Sequence, residues 1–474
     1  MENKILYPFF CVFFSIFISG CRQSAPVKAH GPVPTPEQLE WQKMEYYMFV
    51  HFGPNTFTGV EWGNGAEDPA VFNPRALDCR QWARTAKNAG MQGIIITAKH
   101  HDGFCLWPSR YSDHTVRNSP WRSGQGDVLA ELSAACREYG LKFGVYLSPW
   151  DRNNPAYGTP EYNRLFANTL TEVLTSYGPV FEQWFDGACG DLVSSPYDWS
   201  LFNSTVQEHQ PGALIFSDVG PGCRWVGNER GFAGETNWST LDTSGFTPGR
   251  GAPSTIILNS GQRGAPYWIP VEADVSLRPG WFYNPDTDNS LKSVEELMDI
   301  YFGSVGRNAN LLLNVPPDTR GRIPAGDSLR LMEFRQRRDE VFSRDLARGD
   351  AAFATSVRND GSRKFRPDNV TDADYDTYWI PEEGITTAAL TIDLGKEENF
   401  SALMLQEYIP LGQRIARFIV EYADPEEDRW LLLAQGTTIG YKRLFRFPAV
   451  TSDKIRISIL EADAPPLLNA IAIY

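Results

Sequence analysis

Two histidines stand side by side in Ala98-Lys99-His100-His101-Asp102-Gly103-Phe104, and they are two of only six in the chain. Such a pair suits metal ligation or hydrogen bonding to a polyol. Adjacent strand residues point to opposite faces, so a shared metal is awkward unless the chain bends there. One core and one surface histidine is the plainer use. Asp186 lies in Gln183-Trp184-Phe185-Asp186-Gly187. A carboxylate that follows an apolar run, sits beside an indole and precedes a glycine turn can project into a pocket. Ionised, it can attack an anomeric carbon; capping a following helix is the competing role. His51 ends another apolar run, and Glu61-Trp62-Gly63 follows soon after. A carboxylate next to an indole can hold a sugar, by hydrogen bonds to hydroxyls and stacking on C–H faces. Glycoside hydrolysis needs a second carboxyl group as acid/base. The segments Arg224-Trp225-Val226-Gly227-Asn228-Glu229 and Gly234-Glu235-Thr236-Asn237-Trp238 offer Glu229 and Glu235. Each alone reads equally as a solvated loop residue.

The elements that must carry these groups are short apolar runs: 48–52, 93–98, 143–147, 181–185, 214–217 and 311–315. Helix-like segments at 79–89, 128–139 and 161–177 separate several of them. Strands alternating with helices indicate parallel β/α units, and continuous apolar runs suit strands buried on both faces. Polar or aromatic groups cluster at the C-terminal ends of the runs: His51, His100, His101, Tyr146, Asp186, Asp218 and Asn314. That is the face on which a (β/α)8 barrel carries its active site. The stretch Val219 to Asp274, rich in Gly and Trp, reads as loops over the same face. A helix over 328–346 closes this first domain, at 39–346. Beyond residue 347 the runs 388–394, 417–422, 430–434, 443–447 and 454–460 are separated by turn residues with no long helix between them. They predict an all-β sandwich over 347–474.

The chain has 474 residues, more than one ordinary domain needs, so a large and a smaller domain are expected. Its net charge of −14 repels polyanions and argues against nucleic acid as a partner. Seven cysteines, widely spaced and without a C-x-x-C pair, form neither a disulfide framework nor a zinc site, though one bridge is possible. No G-x-G-x-x-G opens a helix after the first strand, which argues against dinucleotide binding. The N-terminus carries Lys4, an apolar core from Ile5 to Ile18, and Ile18-Ser19-Gly20-Cys21. This is similar to a bacterial lipoprotein signal, with cleavage before a lipidated Cys21. The expectation is an exported protein in the periplasm or at the outer membrane or cell surface, touching membrane only through that anchor. Residues 1–21 then form the signal, and the polar, Pro-containing stretch 22–38 a flexible tether.

Taken together, the motifs resemble glycoside hydrolase family 29, the retaining α-L-fucosidases. The matching set is Met48 to Gly53, Glu61-Trp62, Ala98 to Phe104, Tyr146-Leu147-Ser148, Trp184 to Gly187, Arg278-Pro279-Gly280-Trp281-Phe282-Tyr283, Gly306-Arg307-Asn308 and Leu311 to Pro317. The resemblance implies that Asp186 is the nucleophile. It also implies that His51, Glu61, Trp62, His100, His101, Tyr146 and Trp184 hold fucose, with Trp281 as an aromatic wall near the sugar's methyl group. The segment ending at Glu229 resembles the branch that prefers α-1,3 and α-1,4 linkages on branched, Lewis-type glycans. Glu229 is accordingly the expected acid/base, with Glu235 as the alternative. A fucosylated glycan is the implied partner, and no metal or organic cofactor is needed for the double displacement.

The second domain, through Asn369-Val370-Thr371-Asp372, Asp376-Thr377-Tyr378-Trp379 and Ile392 to Gly395, is similar to the galactose-binding-like (discoidin-type) sandwich. Clustered oxygen ligands in Asn369–Asp374 suggest a structural calcium. This domain could bind sugar or simply cap the barrel. Two other readings of the whole chain stay open: a retaining glycosidase for a related sugar such as an α-L-galactoside, and a non-catalytic glycan-binding lipoprotein.

Overall fold

The computed structural model describes residues 26–190, 197–358, 363–424, 427 and 429–474. The apolar leader and Cys21 lie outside the described residues. The first domain contains eight barrel strands: β1 (Tyr46–Val50), β2 (Gly93–Lys99), β3 (Lys142–Leu147), β4 (Glu182–Trp184), β5 (Leu214–Ser217), β6 (Cys223–Trp225), β7 (Val271–Ser276) and β8 (Ala309–Asn314). All pair in parallel and close in the order β1–β8–β7–β6–β5–β4–β3–β2. Every residue of β1, β2, β4, β5, β7 and β8 is buried, as strands covered on both faces must be. Alternate residues face two different interiors. Met48, Val50, Ile94 and Ile96 pack outward under the helices, whereas Tyr47, Phe49, Ile95, Tyr146, Trp184, Phe216 and Leu312 fill the barrel. The helices that follow are locally encoded. Asp78 caps Cys79–Asn88 by accepting from Gln81 N, Asp127 caps Val128–Tyr139 by accepting from Ala130 N, and Gly140 closes the latter helix at φ 63°.

Three expectations need correction. The stretch Val219 to Asp274 is not all loop, because it contains β6 and most of β7. The first is only three residues long. The second alternates Glu272, Asp274 and Ser276 with Val271, Ala273 and Val275, so it shows no apolar run. Residues 218–222 connect β5 to β6 without a helix, which leaves that β/α unit incomplete.

The described part of the expected tether, residues 26–38, is docked rather than loose. Thr35 and Gln38 form a reciprocal capping box that starts α1 (Pro36–Gln42). Gln38 Nε2 donates to Gly222 O and Trp268 O, each at 2.8 Å. Trp41 plugs the barrel floor, its indole donating to Glu182 Oε2 at 2.9 Å. Further back, His30 N donates to Leu411 O at 3.0 Å, and Lys28 O accepts from Arg414 Nη2 at 2.8 Å. A polar composition gave no sign of these anchors, because they are backbone groups and one amide meeting partners nearly 200 or more residues away.

The second domain is an antiparallel six-stranded sheet: β9 (Ala351–Ala354), β10 (Ala388–Glu407), β11 (Ile415–Asp424), β12 (Arg429–Gly436), β13 (Arg443–Ala462) and β14 (Leu468–Ile473). The order is β9–β10–β13–β11–β12, with β14 on β10. The runs 443–447 and 454–460, read as separate strands, are one strand of 20 residues. Register shifts between Asp393 and Glu398 and between Phe400 and Ala402 bend the β10–β13 pair around a core holding Leu390, Ile392, Leu403, Leu405 and Ile457. In the Asn369–Asp374 loop, the Asn369 amide donates to Lys364 O, Asp372 accepts from Asp374 N and Thr377 Oγ1, and Asp374 accepts from Asp376 N. Among the described residues, no three His, Cys, Asp or Glu side chains converge as metal ligands. The five described cysteines are free thiols.

The domains meet at the N-terminal end of the barrel strands. Asn308, just before β8, accepts from Tyr441 N at 2.7 Å, and Arg443 Nη2 reaches Glu235 at 2.7 Å. The second domain therefore sits away from the C-terminal strand ends.

Trp41→Ala opens the barrel floor and removes the donor to Glu182. It should cost about 3–5 kcal/mol of unfolding free energy in urea titrations; a loss under about 1 kcal/mol would mean that α1 is not part of the cooperative fold.

Candidate active site

The interior row of the barrel continues past the strand ends in steps of two. Tyr47 and Phe49 lead to His51, Trp184 to Asp186, Phe216 to Asp218 and Leu312 to Asn314. The same alternation that fills the barrel thus aims these groups into one mouth. Asp186 caps no helix. Its Oδ1 accepts from Ala188 N at 2.7 Å in a local turn, its Oδ2 accepts from Tyr146 OH at 3.1 Å, and its side chain is 25% exposed. The helix Trp199–His209 has its own cap, Asp198. Burial and the carboxylate of Asp186 push the Tyr146 phenol far above its ordinary value, so it remains a donor.

Both neighbouring histidines turn into the site because the chain bends after β2, with ring centroids 4.1 Å apart. Ser148 donates its single hydroxyl proton to Trp150 O at 2.9 Å, so it must accept from His101 Nδ1 at 2.8 Å. This tautomer leaves His101 Nε2 as an acceptor, 3.7 Å from Asp186 Oδ2. His51 is fixed in the same way. Its Nδ1 faces Asn314 Oδ1 at 2.9 Å, while Asn314 Nδ2 donates to Ser276 Oγ at 2.9 Å and Trp281 O at 2.8 Å. His51 Nε2 is therefore also an acceptor. Nδ1 of His100 is buried without a partner. Burial lowers all three imidazoles: His51 to about 3, His100 well below its ordinary value, and His101 downward against the pull of Asp186. The site thus presents neutral rings, suited to hydroxyl groups rather than to anions.

Trp184 forms the inner wall. It stacks on Phe216 at 4.0 Å, lies 5.2 Å from Tyr146, and donates to Glu272 Oε1 at 2.8 Å. The outer rim is a cleft of about 380 Å³ that brings together Glu61, Trp62, Glu229 and Trp281. Glu61 accepts from Trp281 N at 2.8 Å, and Trp281 packs 5.0 Å from His51. Trp62 is 58% exposed and meets His101 and Trp150 edge-on, each at 5.6 Å. Burial, reinforced by the charge of Asp186, raises the Glu229 carboxyl, while a hydrogen bond from Trp281 acts against it. Glu235 is not in this cleft. It pairs with Arg307 and Arg443 at the opposite end of the barrel, where the domains meet.

Sequence reasoning did not single out Trp150, whose ring lies 4.8 Å from His101, or the interior acids Glu182, Glu272 and Asp274. A signal existed for two of these acids: the strict alternation of β7 reads as a strand with a polar interior face. Trp225 Nε1 donates to Asp274 at 2.8 Å, and Trp41 and Trp184 serve Glu182 and Glu272 in the same way.

An α-L-fucosidase family model matches residues 28–336, and an F5/8 type C domain model matches residues 352–470. The chain is 42% identical to α-L-fucosidase 1 of Arabidopsis thaliana over an alignment of 486 positions, covering 100% of this chain and 94% of that one. Among solved structures it is similar to a Ruminococcus gnavus GH29 fucosidase in complex with fucose, at 34% identity and a TM-score of 0.87, with 96% and 97% of the two chains covered. It is also similar to a glycoside hydrolase 29 family member from an unknown rumen bacterium, at 41% identity and a TM-score of 0.82, with 94% and 78% covered.

The His51 shift gives a sign-definite test. An unfolded histidine binds its proton near pH 6.5, and the folded one only near 3. This contribution to stability is intact above pH 6.5 and is lost as pH falls toward 3. His51→Gln does not titrate, so its stability deficit against the parent protein should shrink by about 2 kcal/mol between pH 7 and pH 5 in urea titrations. A deficit independent of pH would mean that the imidazole is not held neutral.

Proposed function

The chain belongs to glycoside hydrolase family 29, the α-L-fucosidases, and from that premise we propose that it removes terminal fucose from α-1,3 and α-1,4 linkages of branched, Lewis-type glycans by double displacement. Asp186 attacks C1 of the sugar while Glu229 protonates the leaving oxygen. Water then cleaves the fucosyl-enzyme, with Glu229 taking its proton. The observation that carries this reading is the pairing of environments. Asp186 accepts hydrogen bonds from the Tyr146 hydroxyl and Ala188 N, with the rest of its carboxylate facing the mouth at 25% exposure. Glu229 lies in the adjoining cleft, where burial and the charge of Asp186 favour its protonated form. A carboxylate held by two donors beside a second carboxyl whose proton affinity is raised fits a nucleophile and an acid. Glu235, neutralised by two arginines, fits neither role. Sugar hydroxyls would meet the open imidazole acceptors of His51 and His101, with His100 beside them and Glu61 at the rim. Trp62, Trp184 and Trp281 would supply the apolar walls. The Glu229 segment supports the branched-linkage preference by its resemblance to that branch. The sequence around Cys21 supports an exported, lipid-anchored protein.

Asp186→Ala should lower kcat on 4-nitrophenyl α-L-fucoside by ~10³-fold or more. Glu229→Gln should lower kcat/KM for a Lewis-type trisaccharide by ~10²–10⁴-fold, and less for the aryl fucoside, whose leaving group departs without protonation. Glu235→Gln should keep both activities; its failure to do so, with Glu229→Gln active on the trisaccharide, would reverse the assignment. Proton NMR of the earliest product should show the α-anomer, and the β-anomer would exclude double displacement. Faster turnover of an α-L-galactoside would change the substrate assignment. Separately, Cys21→Ala should move the protein from the membrane fraction to the soluble fraction, and an unchanged distribution would remove the lipid anchor.

A further inference from the structure

The end of β5 carries Asp218, a strand-end acid to which the double displacement gives no task. It continues the interior row two residues beyond Phe216 and lies beside the backbone of the nucleophile. Its carboxylate packs on Gly187: a β-carbon at that glycine would stand 2.6 and 2.7 Å from the two oxygens. Asp218 Oδ2 also accepts from Gly249 N at 2.7 Å. Burial and the charge of Asp186 push this carboxyl up to about 6 against the pull of the Gly249 hydrogen bond, and among the described residues no cation offsets them. Keeping an acid half-buried beside another acid without a counter-ion costs stability, so the fold alone does not call for it.

Gly249 belongs to the excursion Thr243–Gly251 in the connection from β6 to β7, the same connection that bears Glu229. The excursion braces itself, with Phe246 N donating to Thr243 O at 3.2 Å and Thr247 N to Gly251 O at 3.3 Å. It is seated on the chain that follows Asp186. Gly249 adopts φ 77°, a β-carbon there would strike Gly187 O, and Arg250 Nη2 donates to Gly190 O at 2.8 Å. Its one aromatic side chain, Phe246, is 36% exposed. An exposed ring on a loop of small and polar residues, itself anchored to the chain that follows Asp186, offers an apolar face for a sugar ring.

We propose that Asp218 is a positioning residue for leaving-group selectivity: it fastens the Thr243–Gly251 loop to the backbone after Asp186, so that Phe246 forms a platform for the glycan that carries the fucose. This rests on the double-displacement reading of the same site. A small aryl leaving group does not extend to the platform, whereas a branched trisaccharide does.

The test is the ratio of kcat/KM for a Lewis-type trisaccharide to that for 4-nitrophenyl α-L-fucoside, measured on the purified protein. Asp218→Ala and Phe246→Ala should each lower the ratio about tenfold or more, mainly through a higher KM for the trisaccharide. Asp218→Asn retains an acceptor oxygen for Gly249 and should restore the ratio to within about threefold of the parent. Phe246 is exposed, so its truncation keeps the test available should Asp218→Ala fail to fold. An unchanged ratio in both alanine variants, or equal losses on both substrates, overturns the proposal. A loss in Asp218→Ala without one in Phe246→Ala overturns the platform. A parent protein inactive on both substrates overturns the double-displacement reading, and this inference with it.

Discussion

Parallel strands closed into a ring leave an interior that only alternate residues of each strand can fill. Everything at the catalytic mouth depends on that constraint. The rows Tyr47-Phe49-His51, Glu182-Trp184-Asp186, Glu272-Asp274-Ser276 and Asn310-Leu312-Asn314 run from the floor to the mouth. The lower members pack, and the upper members lie at the mouth or, like Asn314, orient the groups that do. Glu182 and Glu272 are fully buried in this column and surrounded by donors: Trp41 and Cys223 for the first, Tyr47 and Trp184 for the second. The charge of Glu182 adds to the effect of burial on Glu272, because two ionised carboxylates side by side repel. Burial drives both carboxyls above their ordinary range. The inner wall at Trp184 is thereby fixed to a floor of low net charge.

Burial is graded along the same axis. The three histidines are driven neutral where water is excluded, and the tautomers of His51 and His101 are set by Asn314 and Ser148. Asp186 sits one step outward, where hydrogen bonds from Tyr146 and Ala188 hold its carboxylate in place. Glu229, further out still, is exposed on its turn yet hemmed in by Trp281. A charge-sparing pocket of this kind suits a neutral sugar, whose hydroxyls need directed acceptors and whose C–H faces need flat aromatic surfaces. The second domain adds no described residue to that cleft. It is welded to the far end of the barrel through Asn308, Glu235, Arg443 and the docked N-terminal segment.

Much of this was legible in local pattern. Six of the eight barrel strands fall on the short runs read from the sequence, mostly apolar although β4 is Glu182-Gln183-Trp184, and the polar groups at their ends lie where the mouth forms. What escaped notice did so for identifiable reasons. The strand β6 is too short to show a period, and β7 carries acids on its inner face, so hydrophobicity alone misses both. The two 20-residue strands of the second domain are interrupted by bulges, and each break reads as a turn. Residues 26–38 look like a tether because their composition is polar, but docking there uses backbone carbonyls and a single amide, which leave no compositional trace.

The sequence by itself determined the alternation of strand and helix, the two-domain division, the family resemblance and the set of polar residues at strand ends. These follow from periodicity and neighbouring residue types, which act over a few positions. Only the tertiary structure decided which of those residues meet. It brought His100 and His101 to one side of a bend, set Glu229 in the cleft and Glu235 at the opposite end, and placed Asp218 between the backbone that follows Asp186 and a loop from another strand. Closure of the barrel sets those distances, because it joins residues dozens to hundreds of positions apart, and no local pattern in the chain records which of them will become neighbours.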